Sequence, residues 1–356
     1  MNDISFDEDG YPRVYTIHSQ KGGVGKTSIA LALAGISGAK GKKTLIIDGD
    51  MTGASIADVP GLKCELGSNF NKLILAKPNE FLRLTSIWPP LKYDKSSDLE
   101  LKFCRKMADH ESVYFIPSSA GAADVEAIVP LIAQEDHLHF FRHRIEDILA
   151  AAIQSGFETI ILDHSPGLFG FSKTALQMCL EWGLRQDKND HRLGHLLKGQ
   201  WEELTLQALL VSSFEPHDYK AVFLSFQYVI EGLASIHKID KDKHAEAFAD
   251  SFRFIFNKAK NVADSVGEID IMLHNISGLS PDLTKVIHDH EKDFGPQLAP
   301  LIEGFDMGDI CTNAENFVSQ PRTSTPHSEW GKWLETIACR ARLIKAQDIQ
   351  ADGKAQ

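Results

Sequence analysis

Residues 19–28, which read SQKGGVGKTS, decide how the rest of the chain is interpreted. A strand-like run at residues 14–18 precedes this stretch, and a helix-like apolar run at residues 29–34 follows it. A strand, a glycine-rich turn and a helix in this order let backbone N–H groups converge on an anion at the positive end of the helix dipole. The stretch therefore predicts a phosphate-binding loop.

The loop follows the pattern G-x-x-x-x-G-K-[ST] except at its first position, where Gln20 replaces glycine. In such a loop Lys26 reaches the β- and γ-phosphates, and the Thr27 hydroxyl holds Mg²⁺. A rival dinucleotide-binding pattern, G-x-G-x-x-G, fails because Ser28 stands where its last glycine is required. The predicted nucleotide-binding residues of the loop are Gly22, Gly23, Val24, Gly25, Lys26, Thr27 and Ser28.

Residues 20–27 closely resemble the deviant phosphate loop of the ParA/MinD family of ATPases, which segregate DNA or position division machinery and other cargo. Gln or Gly is found at the position of Gln20 in that family, so the departure from the general pattern supports the resemblance. Lys21 resembles the family's additional lysine, which reaches across a dimer interface to the partner's nucleotide. The resemblance thus implies a homodimer that sandwiches ATP, and a protein partner that stimulates turnover.

Composition indicates a globular protein without a membrane span. The 356 residues are 43% hydrophobic and 24% charged, and no apolar run reaches eighteen residues. The acidic, polar N-terminus resembles neither a signal nor a transit peptide, which predicts a cytoplasmic location. A net charge of −12 disfavours general binding to nucleic acid, although it leaves room for a local basic patch. The five scattered cysteines indicate neither a disulfide framework nor a zinc site.

Short apolar runs alternate with helical patterns along the chain. Such runs predict strands buried on both faces, and a proline restricts the last, weaker run to a sheet edge. The alternation predicts right-handed crossovers, and hence a three-layer α/β/α domain with a mainly parallel central sheet of the P-loop NTPase type. The predicted strands are 13–18, 43–48, 112–117, 158–163, 206–211, 252–257 and 298–302, and the predicted helices include 27–37, 136–154 and 217–236.

A single ATPase domain is expected over residues 13–347. A flexible leader at 1–12 precedes it, and a polar tail at 348–356 follows it. The segments near 56–110 and 181–204 exceed what the crossovers need, so we predict insertions there. Each insertion is interpreted either as a partner-binding elaboration or as a solvated surface loop.

Acidic residues follow two of the predicted strands. The carboxyl ends of parallel strands meet at one edge of a sheet, where ligands bind. Asp163 ends an apolar strand, as does the Mg²⁺-holding acid of phosphate-loop NTPases. Asp48, Gly49 and Asp50 resemble the first switch of the ParA/MinD family. By that resemblance, Asp48 supports the water shell of Mg²⁺ and Asp50 orients the attacking water.

Two further segments at the same edge extend the resemblance. Ser165, Pro166 and Gly167 resemble the family's second switch, where a backbone amide senses the γ-phosphate. Asn257 stands where the family carries an asparagine that hydrogen-bonds adenine, and an amide offers the donor and the acceptor that this requires. The alternative for Asn257 is an ordinary turn residue.

The C-terminal segment at residues 328–347 has the pattern of an amphipathic helix. We predict that it packs on its own domain, and binding to a membrane surface is the weaker alternative. Its basic residues Arg340, Arg342 and Lys345 are the best candidates for non-specific contacts with DNA.

The sequence favours a Mg²⁺-dependent ATPase that acts as an ATP-driven dimerisation switch and positions, segregates or regulates a macromolecular partner. One alternative is a small-molecule ligase or kinase on a related P-loop fold, which has no use for Lys21. Another is a nucleotide-gated scaffold that binds ATP without hydrolysis. A further alternative is a reductase resembling the nitrogenase iron protein, for which Cys104 and Cys179 are two candidate cluster ligands, although their flanks lack the expected glycine-rich settings. A related tyrosine autokinase is disfavoured because the C-terminal tail is not rich in tyrosine.

Overall fold

The computed structural model describes residues 12–51, 105–106, 112–118, 122–132, 138–184, 191–197, 204–237, 251–260, 285, 289, 298–319 and 328–344. The predicted leader and the predicted tail lie outside the described residues, except for Pro12. Most of the predicted insertion at 56–110 and half of that at 181–204 also lie outside them.

The described residues form one eight-stranded sheet. Its strands are β1 (Arg13–His18), β2 (Thr44–Gly49), β3 (Arg105–Lys106), β4 (Val113–Ile116), β5 (Thr159–His164), β6 (Thr205–Ser213), β7 (Phe252–Ala259) and β8 (Leu298–Pro300). Their order is β3-β4-β2-β5-β1-β6-β7-β8. Seven strands run parallel, and only the two-residue β3 pairs antiparallel with its neighbour. This confirms the predicted mainly parallel sheet, with the proline-containing β8 at an edge.

Helices cover both faces of the sheet, as predicted for three layers. The described helices are α1 (Lys26–Ala39), α2 (Ala122–Ile132), α3 (Leu138–Gln154), α4 (Gly170–Leu184), α5 (Arg192–Leu197), α6 (Pro216–His237), α7 (Asp309–Ser319) and α8 (Glu329–Arg340). Buried side chains of α1, α7 and α8 form one core with one face of the sheet, and those of α2 to α6 form the other. Part of the second predicted insertion is therefore helical, since α5 lies within it.

The two cores follow from the alternation of side chains along buried strands. In β1, Val14 points into one core, whereas Tyr15 and Ile17 point into the other. On the second of these faces α1 packs closely on α7, because a Cβ at Gly35 would lie only 2.7 Å from the Cβ of Ala314. This close packing fixes α1, and with it the loop that precedes the helix.

The strand order brings the predicted functional segments to one edge of the sheet. β1 lies between β5 and β6, with β2 beyond β5 and β7 beyond β6. The carboxyl ends of these strands therefore place the acidic segments after β2 and β5 on one side of the phosphate loop. The ends of β6 and β7 lie on its other side.

The C-terminal helix α8 packs on its own domain, as the sequence predicted. Trp333, Leu334 and Ile337 are buried in its contact with the sheet and α1. Arg340 is also fully buried, and its Nε donates to the Phe254 carbonyl at 3.2 Å. The prediction that Arg340 contacts DNA is therefore wrong. Lys345 lies outside the described residues. None of the described helices is long and apolar enough to cross a membrane.

Candidate nucleotide site

The phosphate loop, residues 19–27, turns from β1 into α1 through two glycines with positive φ. Gly23 has φ +74° and Gly25 has φ +99°, values that strain residues with a Cβ. Gly25 is the N-cap of α1, and the Ile29 N–H donates to its carbonyl at 3.0 Å. The first turn of α1 carries no acidic residue. The loop thus presents a helix N-terminus without a competing negative charge, as an anion site requires.

Lys26 lies in the interior of this loop. Its side chain is buried, and Nζ donates to the Ser19 hydroxyl at 2.9 Å. Burial lowers the pKa of Lys26, while the carboxylates of Asp163 and Asp50 oppose that shift. A buried ammonium in a glycine loop gains most from an anionic ligand, because burial strengthens the attraction between opposite charges.

Thr27 and Asp163 meet although 136 residues separate them. The Thr27 hydroxyl donates to Asp163 Oδ2 at 2.6 Å. The second carboxylate oxygen, Oδ1, is buried and accepts no hydrogen bond from the described residues. Burial raises the Asp163 pKa to about 6, against the opposing effects of the Thr27 hydrogen bond and Lys26.

A hydroxyl and a buried carboxylate oxygen without a donor are hard oxygen ligands of the kind that Mg²⁺ prefers. Thr27 and Asp163 therefore fit a Mg²⁺ ion, which would neutralise the carboxylate and hold phosphate oxygens beside Lys26.

Asp48 pairs in register with Asp163, since β2 and β5 are neighbours. It is completely buried, accepts from the Ser118 hydroxyl at 2.8 Å and accepts from the Asp50 N–H at 3.1 Å. Burial, and then the Asp163 carboxylate, raise the Asp48 pKa to about 8. Two acids so close together favour a bound cation.

The segment predicted as the second switch, residues 165–167, contacts the phosphate loop directly. The Gly167 N–H donates to the Ser19 carbonyl at 2.8 Å. The next N–H, that of Leu168, donates to Gln20 Oε1 at 3.3 Å. Gln20 Oε1 also accepts from the Ser225 hydroxyl on α6 at 3.1 Å. The residue that departs from the general pattern thus joins the loop, the switch segment and α6.

Lys21 is held by residues of its own chain. Its Nζ lies 2.7 Å from Asp218 Oδ1 and 2.9 Å from His217 Nε2, at the start of α6. Its side chain is 56% exposed, whereas that of Asp218 is 8% exposed. Burial alone would raise the Asp218 pKa, yet hydrogen bonds from Lys21 and Ser213 and the nearby charges hold it below its usual value.

Asn257 lies near the carboxyl end of β7, as predicted, and contacts the phosphate loop. Its Nδ2 donates to the Val24 carbonyl at 2.9 Å, and its Oδ1 accepts from Trp333 Nε1 at 2.9 Å. A cavity of about 430 Å³ opens beside it. The cavity is lined by Gly23, Gly25, Lys26, Thr27, Ser28, Asn257, Lys258, Pro300, Leu301, Ile302, Phe305, Met307 and Trp333.

Three residues of the site were missed by the sequence analysis. Ser118 follows β4, so the rule that ligands meet at strand ends could have found it. Asp218 lies in the first turn of α6, and Trp333 was interpreted only as part of an apolar helix face. No local pattern marks either of these residues as part of a site.

The alternative of a cluster-bridging reductase loses one of its two ligands. Cys179 is completely buried in α4, and its Sγ lies 3.3 Å from the Thr16 hydroxyl. Burial raises its pKa to about 12. A thiol in this position cannot bind a cluster shared between subunits. Cys104 lies outside the described residues.

Comparison with known proteins agrees with this geometry. Residues 12–180 match a family model described as an AAA domain, and no curated protein matches the chain. An Asp-to-Ala variant of Cyanothece McdA in complex with ATP aligns with a TM-score of 0.51 and 14% identity, over 94% of this chain and 98% of that chain. MinD of Pyrococcus horikoshii with Mg-ADP gives 0.49 and 14%, over 92% and 94%. MinD of Pyrococcus furiosus gives 0.47 and 16%, over 96% and 99%.

The McdA alignment shows a shared fold, and the family match covers the phosphate loop and both predicted switches. The family match itself spans slightly less than half of the chain. With the intact phosphate loop, these findings agree with the recognition made from the sequence, a P-loop fold like that of the ParA/MinD family.

Proposed function

We propose that this chain is a Mg²⁺-dependent ATPase that dimerises around ATP and thereby positions, segregates or regulates a macromolecular partner. The observation that carries the proposal is the 2.6 Å contact between Thr27 and Asp163, beside the buried Lys26. This contact places two candidate Mg²⁺ ligands, Thr27 and Asp163, next to the loop that would bind phosphate. The ATP in the Cyanothece McdA structure supports ATP as the nucleotide.

Five polar residues of the phosphate side have roles in the proposed reaction. Lys26 binds the β- and γ-phosphates, and Thr27, Asp48 and Asp163 hold Mg²⁺ directly or through its water shell. Asp50 orients the attacking water. Phosphoryl transfer requires mainly positioning and neutralisation of charge, and these residues supply both.

Dimerisation would use Lys21 as the residue that crosses to the partner's phosphates. In the structure its ammonium pairs with Asp218 of its own chain. A pair whose lysine is more than half exposed contributes little free energy, so its exchange for a triphosphate costs little. ATP would thus compete with Asp218 for Lys21.

The switch at residues 165–167 would transmit the nucleotide state. Its Gly167 N–H is bonded to the phosphate loop, so a γ-phosphate in the loop is close enough to reorder the segment. We propose that the reordered surface binds a protein partner that stimulates turnover. Non-specific DNA is a further candidate matrix, and a membrane is a weaker one. The domain would extend over residues 13–347 and act in the cytoplasm.

The test combines the oligomeric state with phosphate release. Light scattering after size-exclusion chromatography should show a monomer without nucleotide and a dimer with Mg-ATP. Asp50→Ala should retain ATP and accumulate as the dimer, because the attacking water is no longer oriented. Lys21→Ala should bind ATP and remain monomeric.

Three results would contradict parts of the proposal. An Asp50→Ala protein that is monomeric with ATP and hydrolyses it normally would refute the role of Asp50. A Lys21→Ala protein with full turnover would favour the ligase or kinase alternative. A dimer that forms with ATP but releases no phosphate, with or without DNA, would identify a nucleotide-gated scaffold.

A further inference from the structure

The amide of Asn257 is almost completely used within the protein. Its Oδ1 accepts from Trp333 Nε1 and from the Lys258 N–H, each at 2.9 Å, and its Nδ2 donates to the Val24 carbonyl at 2.9 Å. An amide oxygen has two acceptor sites and an amide nitrogen has two donors. Only one N–H of Asn257 therefore remains for a ligand, which excludes paired donor and acceptor bonds to adenine in this arrangement.

Two aromatic residues, Phe305 and Trp333, line the same cavity as the phosphate loop and are called here the aromatic wall. The Phe305 ring stacks on Trp330 at 5.8 Å between centroids, and Trp330 meets Trp333 edge to face at 5.9 Å. Trp333 is 2% exposed, whereas Phe305 is 42% exposed. The wall thus has a fixed, buried part and an accessible part, in a cavity whose size suits a small ligand.

The wall is connected to the phosphate loop through Asn257. A Cβ at Gly25 would lie 2.2 Å from Asn257 Nδ2, so the amide packs directly on the loop as well as bonding to Val24. The indole, the amide and the Val24 carbonyl form a continuous chain of hydrogen bonds from α8 to the phosphate loop. Movement of the Trp333 indole would therefore displace the part of the loop where phosphates bind.

We propose that Phe305 binds the nucleotide base by contact with its ring, that the buried Trp333 supports this wall from the core, and that Asn257 is a positioning residue that holds Trp333 and the phosphate loop in register. The inference rests on the proposed nucleotide function and assigns the base-binding surface of that site. It moves base recognition from the asparagine amide to aromatic rings, which bind the faces of bases.

Comparing ATP with inorganic tripolyphosphate, which has no base, separates the two halves of the site. Both ligands are titrated calorimetrically, with Mg²⁺, into the full chain and its variants. Phe305→Ala removes an exposed ring and should weaken ATP binding about tenfold, with tripolyphosphate binding unchanged. Tyr228→Ala is the control, because Tyr228 is also an exposed aromatic residue but lies on α6, away from the cavity.

Trp333→Phe tests the positioning role and keeps a ring in the core. It removes the N–H that Asn257 accepts, so it should weaken both ligands about threefold while keeping their affinity ratio. Trp182→Phe is the matched control, since Trp182 is a buried indole in α4 that donates to the Leu204 carbonyl. It should change neither affinity.

The proposal is overturned if Phe305→Ala leaves ATP binding unchanged or weakens tripolyphosphate binding equally. It is also overturned if Trp333→Phe behaves as Trp182→Phe does. Failure of the unaltered protein to bind either ligand would instead refute the proposed nucleotide function. The two failures are therefore distinguishable.

Discussion

The phosphate side of the site and its base side are built in different ways. On the phosphate side, Asp48 and Asp163 lie at the ends of the neighbouring strands β2 and β5. Lys26 comes from the loop that follows β1, the next strand in the sheet. On the base side, Asn257 is bonded to Trp333 of the distant helix α8, and Phe305 from another loop lines the same cavity. The phosphate side is charged and depends on the sheet, whereas the base side is largely apolar and depends on the packing of α8. Changes on the two sides should therefore have separable effects.

The largest expected effect comes from a substitution on the phosphate side, Lys26→Ala, which should not depend on the base. Lys26→Ala should weaken ATP and tripolyphosphate equally, by about 4 kcal/mol or roughly 1000-fold, because the lysine binds phosphates and not the base. Calorimetry with both ligands measures this. Lys42→Ala is a control lysine in a surface pair with Glu158, and it should keep both affinities. A loss confined to ATP would show that Lys26 acts on the base side.

The second effect lies where the two sides touch. Gly25→Ala should lower the free energy of unfolding by about 3 kcal/mol, from strain at φ +99° and from a contact of 2.2 Å with Asn257. Gly23→Ala is the matched control, because its φ of +74° is strained but no atom lies within 4 Å of the added Cβ. It should cost about 1 kcal/mol.

Chemical denaturation of both glycine variants checks this prediction. Equal losses of stability would mean that Asn257 moves aside without cost, and the two sides would then be independent.

Much of the fold was predictable because buried parallel strands leave a strong local pattern. Continuous apolar runs, such as that ending at Asp163, mark strands covered on both faces, and the polar residue that follows each run marks the functional edge. The helix 217–236 was predicted within one residue at each end, since its apolar residues repeat with helical spacing. Short-range patterns thus defined the sheet and the phosphate side together.

The base side left no comparable pattern. Asn257 was placed correctly, but its bonds to Val24 and Trp333 join residues 233 and 76 positions apart. The spacing of Trp333 on α8 indicated only a buried helix face. The ion pair of Lys21 was equally unpredictable, because its partner Asp218 lies at the start of a distant helix, α6. Contacts set by packing, rather than by strand ends, could not be predicted from the sequence.

A third prediction concerns the stability that the protein loses by burying carboxylates on the phosphate side when no cation is bound. Asp48→Asn should raise the free energy of unfolding of the metal-free protein by about 2 kcal/mol at pH 8. The amide oxygen can still accept from the Asp50 N–H, and the amide NH₂ can donate to the Ser118 hydroxyl in place of the present bond, while the side chain carries no buried charge. It should also lose the stabilisation that Mg-ATP gives the unaltered protein.

The pH dependence of this difference has a definite sign. Burial raises the Asp48 pKa from 3.8 in the unfolded chain to about 8 in the native state. Below pH 4 both states are protonated, and no difference arises from this group. Between pH 4 and 8 only the native state keeps the proton, so the native protein loses stability as pH rises. The advantage of Asp48→Asn should therefore grow from pH 5 to pH 8, and a constant advantage would contradict the assignment.

The smallest expected effect tests whether the pair of Lys21 and Asp218 restrains dimerisation. Asp218→Asn should change stability by less than about 1 kcal/mol and strengthen ATP-dependent dimerisation up to about fivefold, since Lys21 no longer loses an ionic partner. Sedimentation equilibrium with Mg-ATP measures the dimer constant. Glu158→Gln breaks another lysine pair, with Lys42, and should leave the constant unchanged. Weaker dimerisation of Asp218→Asn would mean that Asp218 holds Lys21 in the orientation that the dimer requires. Asp218 would then promote dimerisation and not restrain it.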